Sequence, residues 1–331
     1  MADGNGALLD IRGLDVSFQD RKGGVGHALR GVDLSVEDSE IRALVGESGS
    51  GKTVTSTCIM GLLPVPPGRI NAGRILFRGR DLLALSAEEH RKLRGRQMAM
   101  VFQEPSRYLN PAFRIGEQIT EMLGQHLNLH GRDATARAEE LLGLVGLPVG
   151  GRTLARYPHE LSGGMKQRAM IAMAVSCNPA FLIADEPTTA LDVTLQMQIL
   201  ALIRGLRDRL GMGILFISHD LRLVRVLADS VSVIYAGTIV ETAPAAALFA
   251  RPLHPYTRLL LDSIPLAAMR GRRLAAIRGR VPDAQAIPQG CAFHPRCPLA
   301  EGRCAREGPV LETRDGAHWA ACHCTEKPWT P

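Results

Sequence analysis

The residues from Gly46 to Thr53 read GESGSGKT, which matches the phosphate-binding pattern G-x-x-x-x-G-K-[ST] in full. Glycines allow a tight turn, so that successive backbone N–H groups can face phosphate oxygens. Lys52 offers a positive charge to the β- and γ-phosphates, and Thr53 offers a hydroxyl to Mg²⁺. The pattern predicts a loop that binds ATP with Mg²⁺ and consists of Gly46, Glu47, Ser48, Gly49, Ser50, Gly51, Lys52 and Thr53.

A second candidate group of catalytic residues is the acidic pair Asp185 and Glu186, which ends the apolar run AFLIAD that begins at Ala180. Open α/β sheets place ligand-binding groups at the carboxyl ends of their strands. Asp185 is therefore predicted to bind Mg²⁺, directly or through water, and Glu186 to polarise the attacking water. In isolation such a pair is often only a solvated turn, but a phosphate-binding loop upstream favours the functional interpretation.

Both groups need regular elements to position them. The apolar run Ile41–Val45 (IRALV) precedes the phosphate loop and is typical of a buried strand, and TVTSTCIMGLL after it is typical of a helix. The chain has 331 residues, 46% of them hydrophobic and 4% aromatic, which favours a compact α/β enzyme over a disordered chain. No apolar run approaches the ~18 residues of a membrane span, and Met1–Leu9 lacks the features of a signal peptide, so a cytosolic location is expected.

Charge and cysteine are concentrated at the C-terminal end. From Arg251 onward the chain carries 11 Arg, 1 Lys and 7 acidic residues, a net +5, which leaves +1 of the total +6 for the first 250 residues. This change in composition predicts a module boundary near residue 245. Because the basic surplus is confined to this segment, the sequence does not predict a nucleic-acid-binding protein.

The same segment contains the spacing Cys291-x5-Cys297-x6-Cys304-x17-Cys322, followed by Cys324. A disulfide framework is disfavoured in a chain that is expected to be cytosolic. A structural zinc site is compatible with the residue types, although the paired C-x2–4-C knuckles are missing. An iron–sulfur cluster tolerates irregular spacing in a Pro-rich loop, and metal-free thiols remain an alternative. The other two cysteines, Cys58 and Cys177, lie on apolar helical stretches and are predicted to be core residues.

The segment Leu161–Arg168 reads LSGGMKQR, and with it the chain resembles the ATP-binding subunits of ABC transporters. Four further elements of that family occur in the expected order: Gln103 resembles the Q-loop glutamine, Ala190-Leu191-Asp192 the D-loop, His219 the switch histidine and Phe18 the adenine-stacking aromatic residue. In this family two ATPase subunits sandwich two nucleotides. The resemblance implies that Ser162, Gly163 and Gly164 face a nucleotide bound to the partner, that His219 contacts the γ-phosphate, and that Gln103 serves the metal and the water.

Longer segments narrow the resemblance to the oligopeptide/dipeptide importers: LNPAFRIGEQI from Leu109, RPLHPYTRLLLDSIP from Arg251, and the GCAFHPRCP extension. The resemblance implies a [4Fe–4S] cluster held by Cys291, Cys297, Cys304 and Cys322, with Zn²⁺ as the alternative. One departure is Asp38-Ser39-Glu40, where the family commonly has Gly-Glu. A turn with positive φ at this point would be slightly strained by Ser39.

The resemblance also implies partners. They are a second, different ABC ATPase that completes a heterodimer, two integral membrane permease subunits, and an extracytoplasmic substrate-binding protein, but no nucleic acid. The chain would then be a peripheral protein on the cytoplasmic face of the inner membrane that hydrolyses ATP to import di- or oligopeptides. Importers of nickel or glutathione, and non-transport ABC ATPases, are the alternative functions.

The expected fold is an ABC-type P-loop NTPase with a RecA-like parallel sheet. An antiparallel β-subdomain is expected from about residues 7–42 and 69–79. The predicted ATPase domain spans residues 7–245, with a helical subdomain at about 104–178. Residues 246–331 are predicted to form the Cys-rich C-terminal extension.

Overall fold

The computed structural model describes residues 6–189, 191–264, 277–325 and 327. The chain divides into two compact units. The first unit contains the residues up to Val36, Ile41–Leu83 and the residues from Ile217 onward, and the second contains Glu37–Glu40 and Ala84–Phe216. Among the helices of the described residues, none is both long and apolar enough to cross a membrane.

The strands, in chain order, are β1 (Leu9–Gln19), β2 (Val25–Val36), β3 (Ile41–Val45), β4 (Gly68–Phe77), β5 (Arg80–Asp81), β6 (Met98–Val101), β7 (Phe181–Asp185), β8 (Gly213–Ser218), β9 (Ser230–Tyr235), β10 (Thr238–Pro244), β11 (Glu312–Asp315) and β12 (His318–Ala320). The helices are α1 (Lys52–Ile59), α2 (Ala87–Leu93), α3 (Pro105–Tyr108), α4 (Ile115–Leu127), α5 (Gly131–Leu144), α6 (Gly163–Ala174), α7 (Val193–Leu210), α8 (Leu221–Leu227), α9 (Ala245–Ala250) and α10 (Pro255–Asp262).

The first unit contains an antiparallel sheet with the strand order β2-β1-β4-β5. Strand β1 buries Leu9, Ile11, Leu14 and Val16 completely or almost so, while residues between them are partly or fully exposed. Such alternation is typical of an antiparallel sheet with one face on the core. The expected antiparallel β-subdomain is therefore present.

A second set of strands in the first unit has the order β11-β12-β10-β9-β3. Strands β3 and β9 are parallel, with Val45 opposite Val233, and the remaining pairs are antiparallel. Because β3 ends at Val45 and α1 begins at Lys52, the phosphate loop lies at the carboxyl end of a parallel strand. This is the position at which open α/β sheets bind ligands.

The second unit combines parallel strands with helices. Strands β6 and β7 are parallel, with Met98 opposite Phe181, and every residue of β7 is buried. A strand buried on both faces is expected to be continuously apolar, as FLIA is. Helices α3 to α6 lie between β6 and β7 in the sequence, where the helical subdomain was predicted.

Candidate nucleotide site and cysteine cluster

Two glycines of the phosphate loop lie where no other residue fits. A Cβ atom added to Gly46 would come within 2.3 Å of the carbonyl oxygen of Ile234. Gly51 has a φ of 112°, and a Cβ there would come within 2.7 Å of Leu29 Cδ2. The loop therefore requires glycine at both positions for close packing and, at Gly51, for its backbone angle.

Lys52 lies inside the curve of the loop and is only 6% exposed. Its Nζ donates to the carbonyl oxygens of Gly46 and Glu47 at 2.8 and 3.0 Å. These two hydrogen bonds hold the ammonium group at the loop, where it can donate to phosphate oxygens.

The rest of the loop presents polar groups as well. The Ser50 hydroxyl is buried and, within the described part of the chain, has no hydrogen-bond partner. Thr53 is exposed at the start of α1, and the N-cap residue Gly51 offers no side-chain cap to the first turn. Unpaired donors at a helix N-terminus favour an anion. The loop thus fits the predicted triphosphate, with Thr53 available for Mg²⁺.

The second unit brings the predicted Q-loop glutamine to the predicted base. Gln103 Nε2 donates to Glu186 Oε2 at 2.9 Å, and Thr189 Oγ1 donates to the same oxygen at 3.0 Å. Glu186 has a φ of 46°, which is strained for a residue other than glycine. Asp185 ends β7 and is 5% exposed. The acidic pair is therefore part of an ordered polar group and not a solvated turn.

The predicted signature residues form the N-terminus of α6. Ser162 is the N-cap, and its Oγ accepts from the Met165 N–H at 3.4 Å. Ser162 and Gly163 are exposed, whereas Gly164 is buried, and a Cβ atom added to it would come within 3.1 Å of Leu195 Cδ1. A capped helix that begins at an exposed surface can present its positive end to an anion on another molecule.

The remaining predicted nucleotide contacts lie in the first unit. His219 is exposed directly after β8, and Asp220 next to it caps α8. Phe18 is partly buried on β1, opposite Gly26 and Gly68. Ala190 of the predicted D-loop is outside the described residues.

The cysteines of the extension gather in one place. Cys304, Cys322 and Cys324 are buried together, and Cys291 packs against them. The Cys291 N–H donates to the carbonyl oxygen of Cys304 at 2.8 Å. The Cys324 N–H donates to Cys322 Sγ at 3.2 Å. Cys324 was not in the predicted ligand set, yet it lies inside the cluster.

The thiols of this cluster fit a metal group in their chemistry. Cys297 is close enough for charge on Cys291, Cys304 or Cys324 to affect it, and burial raises its pKa to about 11. Burial also raises the pKa of Cys322 to about 12. Soft thiolates are the usual ligands of zinc and iron–sulfur groups, and binding releases their protons. The described residues nevertheless show no group of three or more His, Cys, Asp or Glu side chains arranged around a shared metal position.

Other functional residues were missed by sequence reasoning. Thr189, which binds Glu186, follows Glu186 by three positions, so its place in DEPTT was a usable signal. Arg296 pairs with Glu47 of the phosphate loop across 249 residues, and no local pattern indicates such a pair. No local pattern indicates the contact of Tyr256 either, whose hydroxyl oxygen accepts a hydrogen bond from the Glu47 N–H at 2.8 Å.

A buried carboxylate holds the end of the chain to β10. Glu241 is fully buried and accepts hydrogen bonds from the Leu253 and His254 N–H groups at 2.7 and 2.9 Å. His318 of β12 lies 2.7 Å from the same carboxylate through Nε2. Within the first unit, the extension is thus attached to β10 by a hydrogen-bonded polar network as well as by the pairing of β10 with β12.

Comparison with known proteins agrees with these elements. The family profile described as "ABC transporter" matches residues 29–189, and the profile described as "Oligopeptide/dipeptide transporter, C-terminal region" matches residues 240–304. A solved dimeric ATP-binding cassette, in a post-hydrolysis state bound to ADP and Pi, superposes with a TM-score of 0.64 at 25% identity, over 72% of this chain and 98% of that one. The fold and the ordered motifs define the chain as an ABC-type ATPase with the expected P-loop α/β fold.

Two curated relatives extend over nearly the whole chain. The oligopeptide transport ATP-binding protein AppD of Bacillus subtilis (strain 168) is 46% identical over 97% of this chain and 97% of its own length. The dipeptide transport ATP-binding protein DppD of Escherichia coli (strain K12) is 45% identical over 96% of both. The chain belongs to the oligopeptide/dipeptide ABC transporter family, as one of its ATP-binding subunits.

Proposed function

We propose that the chain hydrolyses ATP to power the import of di- or oligopeptides through a membrane permease. The observation that carries this proposal is the hydrogen bond from Gln103 to Glu186. It joins the proposed base to the segment that leads into the helices between β6 and β7. A change at the nucleotide can therefore reach those helices through a single side chain, which is the coupling that a transport ATPase needs.

The hydrolysis mechanism assigns one task to each residue group. Lys52 and the loop N–H groups bind the β- and γ-phosphates. Thr53 and Asp185 are the residues that would hold Mg²⁺, which would supply positive charge to the phosphates when bound. Glu186 exchanges its hydrogen bond with Gln103 for one with the attacking water and orients it, while His219 contacts the γ-phosphate. Positioning and charge stabilisation supply most of the rate enhancement in such phosphoryl transfer.

The exposed signature supports a dimeric mechanism. Ser162 and Gly163 are accessible at the start of α6, so they can face a nucleotide on another subunit. The solved cassette with the same fold is dimeric. The proposed assembly pairs this chain with a second, different ABC ATPase, two integral membrane permease subunits and an extracytoplasmic substrate-binding protein, on the cytoplasmic face of the inner membrane. In this assembly residues 7–245 are the ATPase domain and residues 246–331 the extension.

A transport assay tests the function and its cargo. The chain is co-expressed with the permease, ATPase and binding-protein genes beside it, and the complex is reconstituted into vesicles. Peptide uptake should require ATP, and Glu186→Gln in the same complex should abolish it. Uptake of nickel or glutathione, with no uptake of peptides, would show that the proposed peptide cargo is wrong. Failure to purify with any membrane subunit would favour a non-transport ATPase.

The proposed cluster site consists of Cys291, Cys297, Cys304 and Cys322. The support is that Cys304 and Cys322 are buried together with Cys291 packed against them, and that the Cys324 N–H group donates to Cys322 Sγ. A [4Fe–4S] cluster held there would act as a cross-link between segments that are distant in sequence.

The metal proposal has a direct test. Protein purified without oxygen should be brown and contain about four iron and four sulfide per chain. Cys304→Ser should lose both, whereas Cys58→Ala, which changes a buried cysteine on α1, should keep them. Colourless protein with one zinc per chain would contradict the cluster in favour of the alternative metal. Protein without either metal would contradict both.

A further inference from the structure

Glu47, the second residue of the phosphate loop, is paired with an arginine from the cysteine extension. Arg296 Nη1 donates to Glu47 Oε2 at 2.7 Å, and Arg296 Nη2 donates to Glu47 Oε1 at 2.9 Å. The Arg296 side chain is 6% exposed and that of Glu47 is 29% exposed. A bidentate ion pair in which one partner is buried is both stronger and geometrically more restrictive than an ion pair on the surface.

Arg296 is itself fixed on several sides. Its Nε donates to the Arg278 carbonyl oxygen at 2.9 Å, and its Nη1 donates to Tyr235 Oη at 3.2 Å. The guanidinium also lies over the rings of Tyr235 and Phe293, 5.7 and 5.9 Å from their centroids. Its planar group is thus held in one orientation, which a flexible lysine ammonium could not reproduce.

The backbone of Glu47 is fixed from the same side. Its N–H donates to Tyr256 Oη at 2.8 Å, and Tyr256 is fully buried. The Tyr256 ring packs against Tyr235 and Phe293, with centroids 4.7 and 5.2 Å apart. Both the side chain and the main chain of Glu47 are therefore held by residues that lie more than 180 positions downstream.

The charge of Glu47 explains why this arrangement matters. A carboxylate at the start of a phosphate-binding loop repels a polyphosphate unless a cation neutralises it. Arg296 supplies that cation, and its hydrogen bonds keep the carboxylate turned toward the extension. Without Arg296 the loop would contain a partly buried, unpaired negative charge and lose a fixed point at its first turn.

We propose that Arg296 is a positioning residue of the nucleotide site, which neutralises Glu47 and holds the phosphate loop in its binding conformation. The inference rests on the proposed function of residues Gly46–Thr53 as the ATP-binding loop. Because the contacts of Arg296 are with the phosphate loop, we expect it to affect nucleotide binding and not the hydrolytic step. The cysteine extension thereby contributes to ATP affinity through one side chain.

The experiment measures ATP affinity by titration calorimetry on the full chain, with kcat and KM from steady-state hydrolysis. Arg296→Ala should weaken ATP binding about 10- to 100-fold, as expected for loss of a charge-assisted pair that leaves a carboxylate unpaired. KM should rise by a similar factor while kcat changes little. Arg296→Lys keeps the charge but cannot make both hydrogen bonds to the carboxylate. Its ATP affinity should therefore lie between those of the wild type and Arg296→Ala.

A double variant separates repulsion from a general structural effect. If unpaired Glu47 causes the loss, Glu47→Gln combined with Arg296→Ala should recover most of the ATP affinity. The matched control is Arg303→Ala, because Arg303 pairs with Glu307 in the same extension and both side chains are 59% exposed. This control should bind ATP like the wild type.

The outcomes distinguish this inference from the proposed function. Wild-type protein that binds no ATP would overturn the proposed function itself. Wild-type binding together with unchanged affinity in Arg296→Ala would overturn only the role of Arg296. A loss of kcat without a change in affinity would do the same. If Arg296→Ala does not fold, as judged by circular dichroism, Arg296→Lys and Glu47→Gln/Arg296→Lys provide the same comparison.

Discussion

The ligand groups of the phosphate loop are contiguous from Gly46 to Thr53, whereas the cysteines of the extension are separated by five, six and seventeen residues. Regular elements flank the loop, since β3 ends at Val45 and α1 begins at Lys52. The cysteines lie outside strands and helices, in turns and short connections. One short segment thus supplies the binding groups of the loop, whereas the cysteine cluster is assembled from segments that are distant in sequence.

The two regions are not independent, because Glu47 and Arg296 join them. A loop with a complete local motif still depends on a distant residue for its position and charge balance. The difference teaches that the chemistry of a nucleotide site can be encoded in eight contiguous residues while its geometry is not. Changes in each region should therefore differ in what they affect.

The largest effect is expected within the loop. Lys52→Ala should weaken ATP binding by about 100-fold or more, because it removes the only ammonium in the loop that can pair with the phosphates. Fluorescence titration with an ATP analogue measures this change. Lys92→Ala, at an exposed lysine on α2, is the control. If Lys52→Ala still bound ATP tightly, the phosphate contact assigned to Lys52 would be contradicted.

A comparable effect on rate, without an effect on binding, is expected at Glu186. Glu186→Gln should lower kcat by about 100- to 1,000-fold, because the amide cannot accept a proton or orient the water equally well. Affinity for ATP should stay close to the wild-type value, since the residue does not hold the phosphates. Single-turnover hydrolysis measures the rate. Wild-type turnover in this variant would mean that another group activates the water.

Anchoring of the extension should affect stability. Glu241→Ala should lower the free energy of unfolding by about 3 kcal/mol, because it leaves two buried N–H groups and His318 without their acceptor. Denaturant unfolding followed by tryptophan fluorescence reports on this region, since both tryptophans lie in the extension. Glu312→Ala, at an exposed residue of β11, should have little effect. Equal unfolding curves for the two variants would contradict a structural role for Glu241.

The smallest effect concerns pH. Burial lowers the pKa of His254 to about 4, although nearby Glu241 opposes the shift. The unfolded chain takes up this proton near pH 6.5 but the folded chain only near 4, so stability should fall as the pH drops through that window. The loss is at most about 3 kcal/mol, since one pKa unit corresponds to about 1.4 kcal/mol.

The variant that isolates this effect is His254→Asn, which keeps an acceptor for the Tyr256 N–H at the start of α10. Its unfolding free energy should depend less on pH between 6.5 and 4 than that of the wild type. Parallel curves for the two proteins would show that His254 does not cause the loss.

Local patterns were sufficient for much of the site and the fold. The phosphate loop follows the buried strand β3, Asp185 ends the buried strand β7, and Glu186 comes directly after it. Both strands can be read from apolar runs in the sequence. The positive φ considered for the turn at Ser39 is present, at 59°. These features depend on residues close together in the sequence, where spacing determines geometry.

The long-range contacts that hold the site residues in place could not be predicted in this way. Arg296 and Tyr256 meet Glu47 only after β9, α10 and the extension have packed, and no spacing rule connects them. The hydrogen bond between Gln103 and Glu186 likewise depends on the pairing of β6 with β7. Long-range register and side-chain direction decide such contacts, and a single sequence does not contain them explicitly.

The pairing of Glu47 with Arg296 also has a consequence for biosynthesis. The two residues are 249 positions apart, so the ribosome adds Arg296 on the order of 10 to 50 seconds after it has made the phosphate loop. During that interval the nascent chain carries a glycine-rich loop and the edges of the N-terminal strands without their final contacts. The first unit therefore gains its last contacts only near the end of translation, and until then its unpaired strand edges are exposed to aggregation.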